Sequence, residues 1–235
     1  MRVGLALAAL ALAFPAQAQR AVQPIIGVKR TVEALAFDPG LFFKWSWADK
    51  VRIRYRGDDW GWPVYSIAVQ NGCEDEKAPL PACTERRVAR MVRAPIGPRG
   101  TERPRWRGTD LVERIFRSGA RSERAIKAQL DKAGLEWLEA DLQACPGAMA
   151  MLASAEAAQW GPYTRPPRPD GAIVVTLHAD TIEVGFEVPD GRVTWSGLGR
   201  EGTPARWAYD FAALLEPCWK PAPAPTPWRR IPATY

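Results

Sequence analysis

The first eighteen residues, MRVGLALAALALAFPAQA, constrain this chain most, because they decide the surroundings in which everything after them folds. Arg2 supplies a positive start, Val3 to Phe14 run without a charge, and Ala16-Gln17-Ala18 is a small-x-small cleavage site. That order is the pattern of a secretory signal peptide, and its apolar run is too short to span a bilayer. No cysteine follows the expected cut, so no lipid anchor is expected. The periplasm is the expected compartment, with the external medium as the alternative. Cleavage after Ala18 leaves 235 − 18 = 217 residues, enough for a sizeable core. No later stretch approaches ~18 uninterrupted apolar residues, so no membrane span is expected.

Export turns the cysteines into a framework. Four follow the leader, Cys73, Cys83, Cys145 and Cys218, and an even number in an oxidising compartment predicts two disulfides. The expected pairs are Cys73–Cys83, closing the polar loop GCEDEKAPLPAC, and Cys145–Cys218, joining the middle of the chain to a C-terminal helix. The spacings are not those of a zinc site, and the single histidine, His178, does not complete one, so neither a metal nor another cofactor is expected.

Strand signals appear twice. In VRIRYR, Val51, Ile53 and Tyr55 alternate with arginines, the period of a half-buried strand; VYSIAV supplies its hairpin partner, in an undetermined register. Trp45 and Trp47 share parity with the apolar set and are expected in the core, whereas Trp60 and Trp62 lie in the turn RGDDWGWP. Residues 173–196 read as a three-stranded meander with two-residue turns at Ala179-Asp180 and Asp190-Gly191. That register places Val188 opposite Val193 and Phe186 opposite Trp195, with all the large apolar residues on one face.

Helix signals fill the middle. Thr109 caps LVERIF and Ser122 caps ERAIKAQLDKA; a third helix is expected with Leu135, Leu138 and Leu142 on one face. Residues 19–40 are only weakly patterned. Thr203-Pro204 opens a C-terminal helix whose stripe is Trp207, Phe211, Leu214 and Leu215. The expected product is α+β: small antiparallel sheets, an N-terminal hairpin and a C-terminal meander, packed with a helical middle block and a C-terminal helix and stabilised by disulfides. Residues 19–220 form one domain, divisible at the proline-rich connector 162–171, and 221–235 form a proline-rich disordered tail.

Several chemistries are missing. There is no G-x-S-x-G, no P-loop and no H-E-x-x-H; GLGREG (197–202) matches G-x-G-x-x-G but lacks a surrounding βαβ unit and reads as a tight loop. Glu183 and Glu187 share a strand face about 13 Å apart, too far for a glycosidase pair. Basic character alone does not specify a partner: the formal charge, +6 with Arg2 and +5 without it, rests on 25 arginines against 7 lysines. Export argues against nucleic acid.

Asp58, Asp59, Trp60 and Trp62 are the expected ligand-binding residues, since indoles stack on sugar faces and carboxylates accept hydroxyl hydrogen bonds. The arginines of 86–107 extend that surface towards anionic groups. A non-catalytic binding or accessory protein of the cell envelope is expected, its partner an envelope glycan, an anionic surface or another exported protein. The alternatives are a carboxylate-dependent envelope hydrolase and an inhibitor or assembly factor for a secreted enzyme.

Overall fold

The alternation in VRIRYR puts Val51, Ile53 and Tyr55 on one face of β1 (Asp49–Tyr55) and Arg52 and Arg54 on the other. The computed structural model describes residues 16–43, 49–57, 61–73, 85–95, 108–158, 160, 180–188 and 191–230. β1 pairs antiparallel with β2 (Tyr65–Cys73), with Ile53 opposite Ile67 and Tyr55 opposite Tyr65, so both apolar sets share a face. β2 pairs with β3 (Glu85–Arg93), and β3 with β4 (Glu136–Asp141). On the other side β1 pairs with β5 (Thr181–Val188), which pairs with β6 (Gly191–Leu198). With the two-residue β7 (Lys220–Pro221) beside β4, the order is β6-β5-β1-β2-β3-β4-β7, antiparallel throughout.

One seven-stranded sheet therefore replaces the two small sheets expected. The meander fails for a definite reason. The edge of β5 that it assigns to residues 173–178 is occupied by β1 from Ile182 to Phe186. Those residues, with Thr176 and His178, lie outside the described residues. The β5–β6 turn also shifts. Val188 pairs with Gly191 and Phe186 with Val193, two residues from the expected register. A shift of two preserves every side chain's face, so Val184, Phe186 and Trp195 still pack into one core, and Pro189 need not donate to the ladder.

Both faces of the sheet are covered. On the first, α4 (Ala148–Ala157) and α5 (Pro204–Leu214) pack Leu152, Trp207 and Phe211 against Val51, Ile67, Met91 and Val184. On the second, α1 (Ala16–Ala36), α2 (Gly108–Arg117) and α3 (Glu123–Leu130) pack Val32, Leu111, Ile126 and Leu130 against Ala68, Val88 and Val92. Two of the three anticipated caps form: the Ser122 hydroxyl accepts from the Ala125 amide, and that of Thr203 from the Arg206 amide with Pro204 at the first helical position, whereas Thr109 lies inside α2, which begins one residue earlier at Gly108. Gly197 has a packing role, because the Trp195 indole lies across it and a Cβ there would meet the ring at 2.4 Å.

Two segments depart from expectation. Residues 136–141 form β4 rather than a helix, since Trp137 and Glu139 turn to the second face and Leu138 to the first. The expected tail from 221 onwards is likewise corrected for 221–230, which wraps the outer edge of β4. The Ala222 amide donates to the Trp137 carbonyl at 3.0 Å and the Trp137 indole donates to the Ala224 carbonyl at 2.8 Å. Trp228 is buried in the second core, and its indole donates to Asp131 at 2.9 Å beside a 2.8 Å bond from Arg229. Arg229, and then Trp228, hold the Asp131 carboxyl below the usual carboxylate range. Covering a strand edge removes a template for unwanted pairing, and the prolines do so without adding donors. The Cys145–Cys218 disulfide forms as expected, just before this strap begins.

Candidate functional site

The expected contact residues fall only partly within the described chain. Asp58, Asp59 and Trp60 lie outside it. Trp62 is half-buried against the second core, with Lys29 Nζ 5.6 Å from its ring centre. Trp45, Trp47, Cys83 and residues 96–107 also lie outside the described residues; Cys73 ends β2.

The arginines that are described in β3 have partners inside the protein. Arg86 and Arg90 each donate to one oxygen of Glu139, at 2.8 Å in both cases. Arg90 also donates to the Phe42 carbonyl and lies over the Phe43 ring. On the opposite face Arg93 bonds Glu136 and Glu216, while Arg87 bonds Asn71 and reaches Glu156. These guanidiniums tie strands and layers together. Glu183 and Glu187 are similarly engaged on the second face, Glu183 with Arg54 and Arg56, Glu187 with Lys50.

The concave surface that the sequence did not mark lies along the first two turns of α5. Thr203 stops the chain after the GLGREG loop, and helical spacing then sends Trp207 and Phe211 into the core while Arg206, Tyr209 and Asp210 remain at the surface. On one flank is a groove of about 530 Å³ lined by Met151, Trp160, Glu201, Thr203, Trp207 and Asp210, together with Arg206. Trp160 and the edge of the buried Trp207 line it, backed by core rings: Trp160 stacks on Phe186 at 5.9 Å, Phe186 meets Trp207 at 5.3 Å, and Trp207 stacks on Phe211 at 5.0 Å. The indole nitrogens are satisfied, Trp160 donating to the Ala155 carbonyl and Trp207 to that of Met151, so both rings are fixed.

On the other flank is a groove of about 410 Å³ lined by Tyr55, Asp180, Leu198, Arg200 and Tyr209. Arg206 borders both grooves; its Nε donates to Asp210 at 2.9 Å and its guanidinium lies over the half-exposed Tyr209 ring. Tyr55 stacks nearly parallel on Tyr65, ring centres 4.9 Å apart, and lines this groove beside Asp180. Burial, and then the Asp180 hydrogen bond and charge, push the Tyr55 hydroxyl well above its ordinary pKa; burial does the same to Tyr65.

The sign of this shift gives a testable pH dependence. Both tyrosines hold their protons in the folded state while an unfolded tyrosine releases its own near pH ~10. Their contribution is therefore complete below about pH 10 and is lost as pH rises beyond it towards the folded values. Urea midpoints measured from pH 8 to 11 should fall at the alkaline end, less steeply for Tyr55→Phe than for the parent. Equal slopes would show that these hydroxyls do not govern alkaline stability.

Groups of three or more metal-ligating side chains are absent among the described residues. The grooves combine fixed aromatic surface with alternating carboxylates and guanidiniums, an arrangement suited to a polyhydroxylated ligand held by stacking and paired hydrogen bonds. The fold that carries them is a mixed α+β layered sheet held by a disulfide. Comparison of the chain with protein-family models, with curated proteins and with solved structures found no match in any of the three.

Proposed function

We propose that the chain is an exported, non-catalytic binding protein of the cell envelope, and that it holds a glycan in the grooves flanking α5. The observation that carries the reading is the wall formed by Trp160 and Trp207 beside Glu201, Arg206 and Asp210. Trp160 is partly exposed and already fixed by packing, so it costs little conformational entropy when a ligand stacks on it. The leader and the disulfide support export. Among the described side chains, the core contacts of α1 begin at Ile25, beyond the expected cut after Ala18, so cleavage spares them. No described helix is long and apolar enough to cross a membrane.

The described residue before the loop favoured by the sequence lies at the same end of the sheet. Gly57, which precedes Asp58, accepts from the Thr181 amide, and Asp180 lines the smaller groove. Asp58, Asp59 and Trp60 are thus proposed as an extension of the contact surface.

The test is co-sedimentation with purified cell-wall sacculi. The parent protein should pellet with an intact wall, and Trp160→Ala should weaken the association at least tenfold while leaving the circular dichroism unchanged. A Trp60→Ala variant measures the contribution of the loop. Parent protein left in the supernatant would overturn the glycan reading, and release of wall fragments would replace it with the hydrolase.

A further inference from the structure

Arg200 differs from the other arginines that border the sheet. Those of β3 are matched to Glu139, Glu136, Glu216 or Glu156, and Arg206 is matched to Asp210. Arg200 is half-buried and lines the smaller groove, yet among the described residues no carboxylate lies within ion-pair distance of it. Asp180 shares the groove, beside Tyr55, but makes no ion pair with Arg200. The groove therefore presents a guanidinium and a carboxylate that do not neutralise one another. Tyr209 and Arg206 form its rim, the latter with one nitrogen committed to Asp210.

Resting on the glycan reading above, we infer that the ligand contains a sugar acid: its carboxylate pairs with Arg200 in the smaller groove, and the glycan continues past the shared Arg206 towards Trp160 in the larger one. The chemistry of each side matches its surroundings. A guanidinium is planar, permanently charged and able to give two parallel N–H bonds to one carboxylate. Asp180 is an acceptor for hydroxyls beside that carboxylate. On the other flank, Glu201 and Asp210 outnumber the shared Arg206, which disfavours an acidic group there and favours hydroxyls. The polarity thus orients the ligand, with its acidic substituent towards Arg200. A neutral glycan would leave this cation unmatched, and a wholly anionic polymer would meet the carboxylates of the larger groove.

Isothermal titration with three saccharides tests this on the full mature chain. The probes are the N-acetylglucosaminyl–N-acetylmuramic acid disaccharide with its lactyl carboxylate free, the same disaccharide as its lactyl amide, and a neutral N-acetylglucosamine tetramer. The parent protein should bind the acid at least tenfold more tightly than the amide. Arg200→Gln should reduce that ratio to about one, by weakening the acid much more than the amide. Arg124→Gln, altering an exposed arginine of α3 away from the grooves, should leave the ratio intact. Equal binding of acid and amide by the parent, or an undiminished ratio in Arg200→Gln, would overturn the sugar-acid inference while leaving the glycan reading standing. Binding of none of the three by protein that still pellets with sacculi has the same meaning. Failure to pellet as well removes both.

Discussion

Replacing Glu139 by alanine should destabilise the protein by about 3–5 kcal/mol, the usual effect of removing one partner from a buried ion pair. The geometry explains the size. Glu139 stands directly across from Arg90 in the β4–β3 pairing, with side-chain exposures of 8% and 5%. Without the carboxylate, Arg90 keeps a charge that it cannot shed, since a guanidinium does not deprotonate in a protein. The Phe42 carbonyl and Phe43 ring offer only partial compensation. Chemical denaturation should show the loss directly, and heating should lower Tm by roughly 10 °C. A loss under ~1 kcal/mol would mean that water reaches Arg90 and that the pair is not buried in solution. The double variant Arg90→Met/Glu139→Leu should recover part of the loss, because an apolar pair avoids desolvating Arg90 and Glu139, while Arg86, 25% exposed, exchanges its bond to Glu139 for water.

If that recovery occurs, the pair's value lies in register. Arg90 faces Glu139 on the second sheet face and Arg93 faces Glu136 on the first. A slip of two residues one way sets Arg90 against Trp137; the other way sets Arg93 against Leu138. Neither slip keeps both ion pairs, although both keep every side chain on its original face. Alternation alone cannot forbid such a slip, and the β5–β6 hairpin illustrates the point. Its expected and observed registers differ by two and bury the same face, so the pattern did not distinguish them.

Local signals were legible where physics is local. The alternation in β1, the Ser122 and Thr203 caps and the stripe of α5 all depend on neighbours in sequence. β4 was misread because Leu135, Leu138 and Leu142 happen to fall at helical spacing, while its strand character depends on Arg90, whose matching to Glu139 spans 49 residues. The core stripe of α1, Val28, Val32 and Ala36, was obscured by Pro24, Gly27 and the basic pair Lys29-Arg30. The grooves left the weakest trace. Met151, Trp160, Arg200 and Trp207 come from separate segments, and Trp207 is part of an apolar stripe that any core-facing helix would show. The available clue was Arg200 itself, a cation in a glycine-rich loop next to a strand end, but only the fold reveals that no described carboxylate meets it.

Substituting both Cys145 and Cys218 by alanine should remove about 4 kcal/mol of stability, and here the reason lies mainly in the unfolded chain. The bond spans a sequence separation of 73, and loop-closure entropy for a loop of that order gives about this value. In the folded state the bond joins the turn before α4 to the end of α5, where Cys145 is already buried in the first core and Arg93 independently holds Glu216. The native layers should therefore persist in the double variant. Its circular dichroism and its affinity for sacculi should match the parent's, while its denaturation midpoint falls and its urea dependence steepens as the unfolded chain expands. Substituting both cysteines matters, because one left alone would be able to pair elsewhere. The opposite result, unchanged stability with weakened sacculus binding, would place the bond's role in the folded state, as the tether that fixes α5 and the two grooves along it.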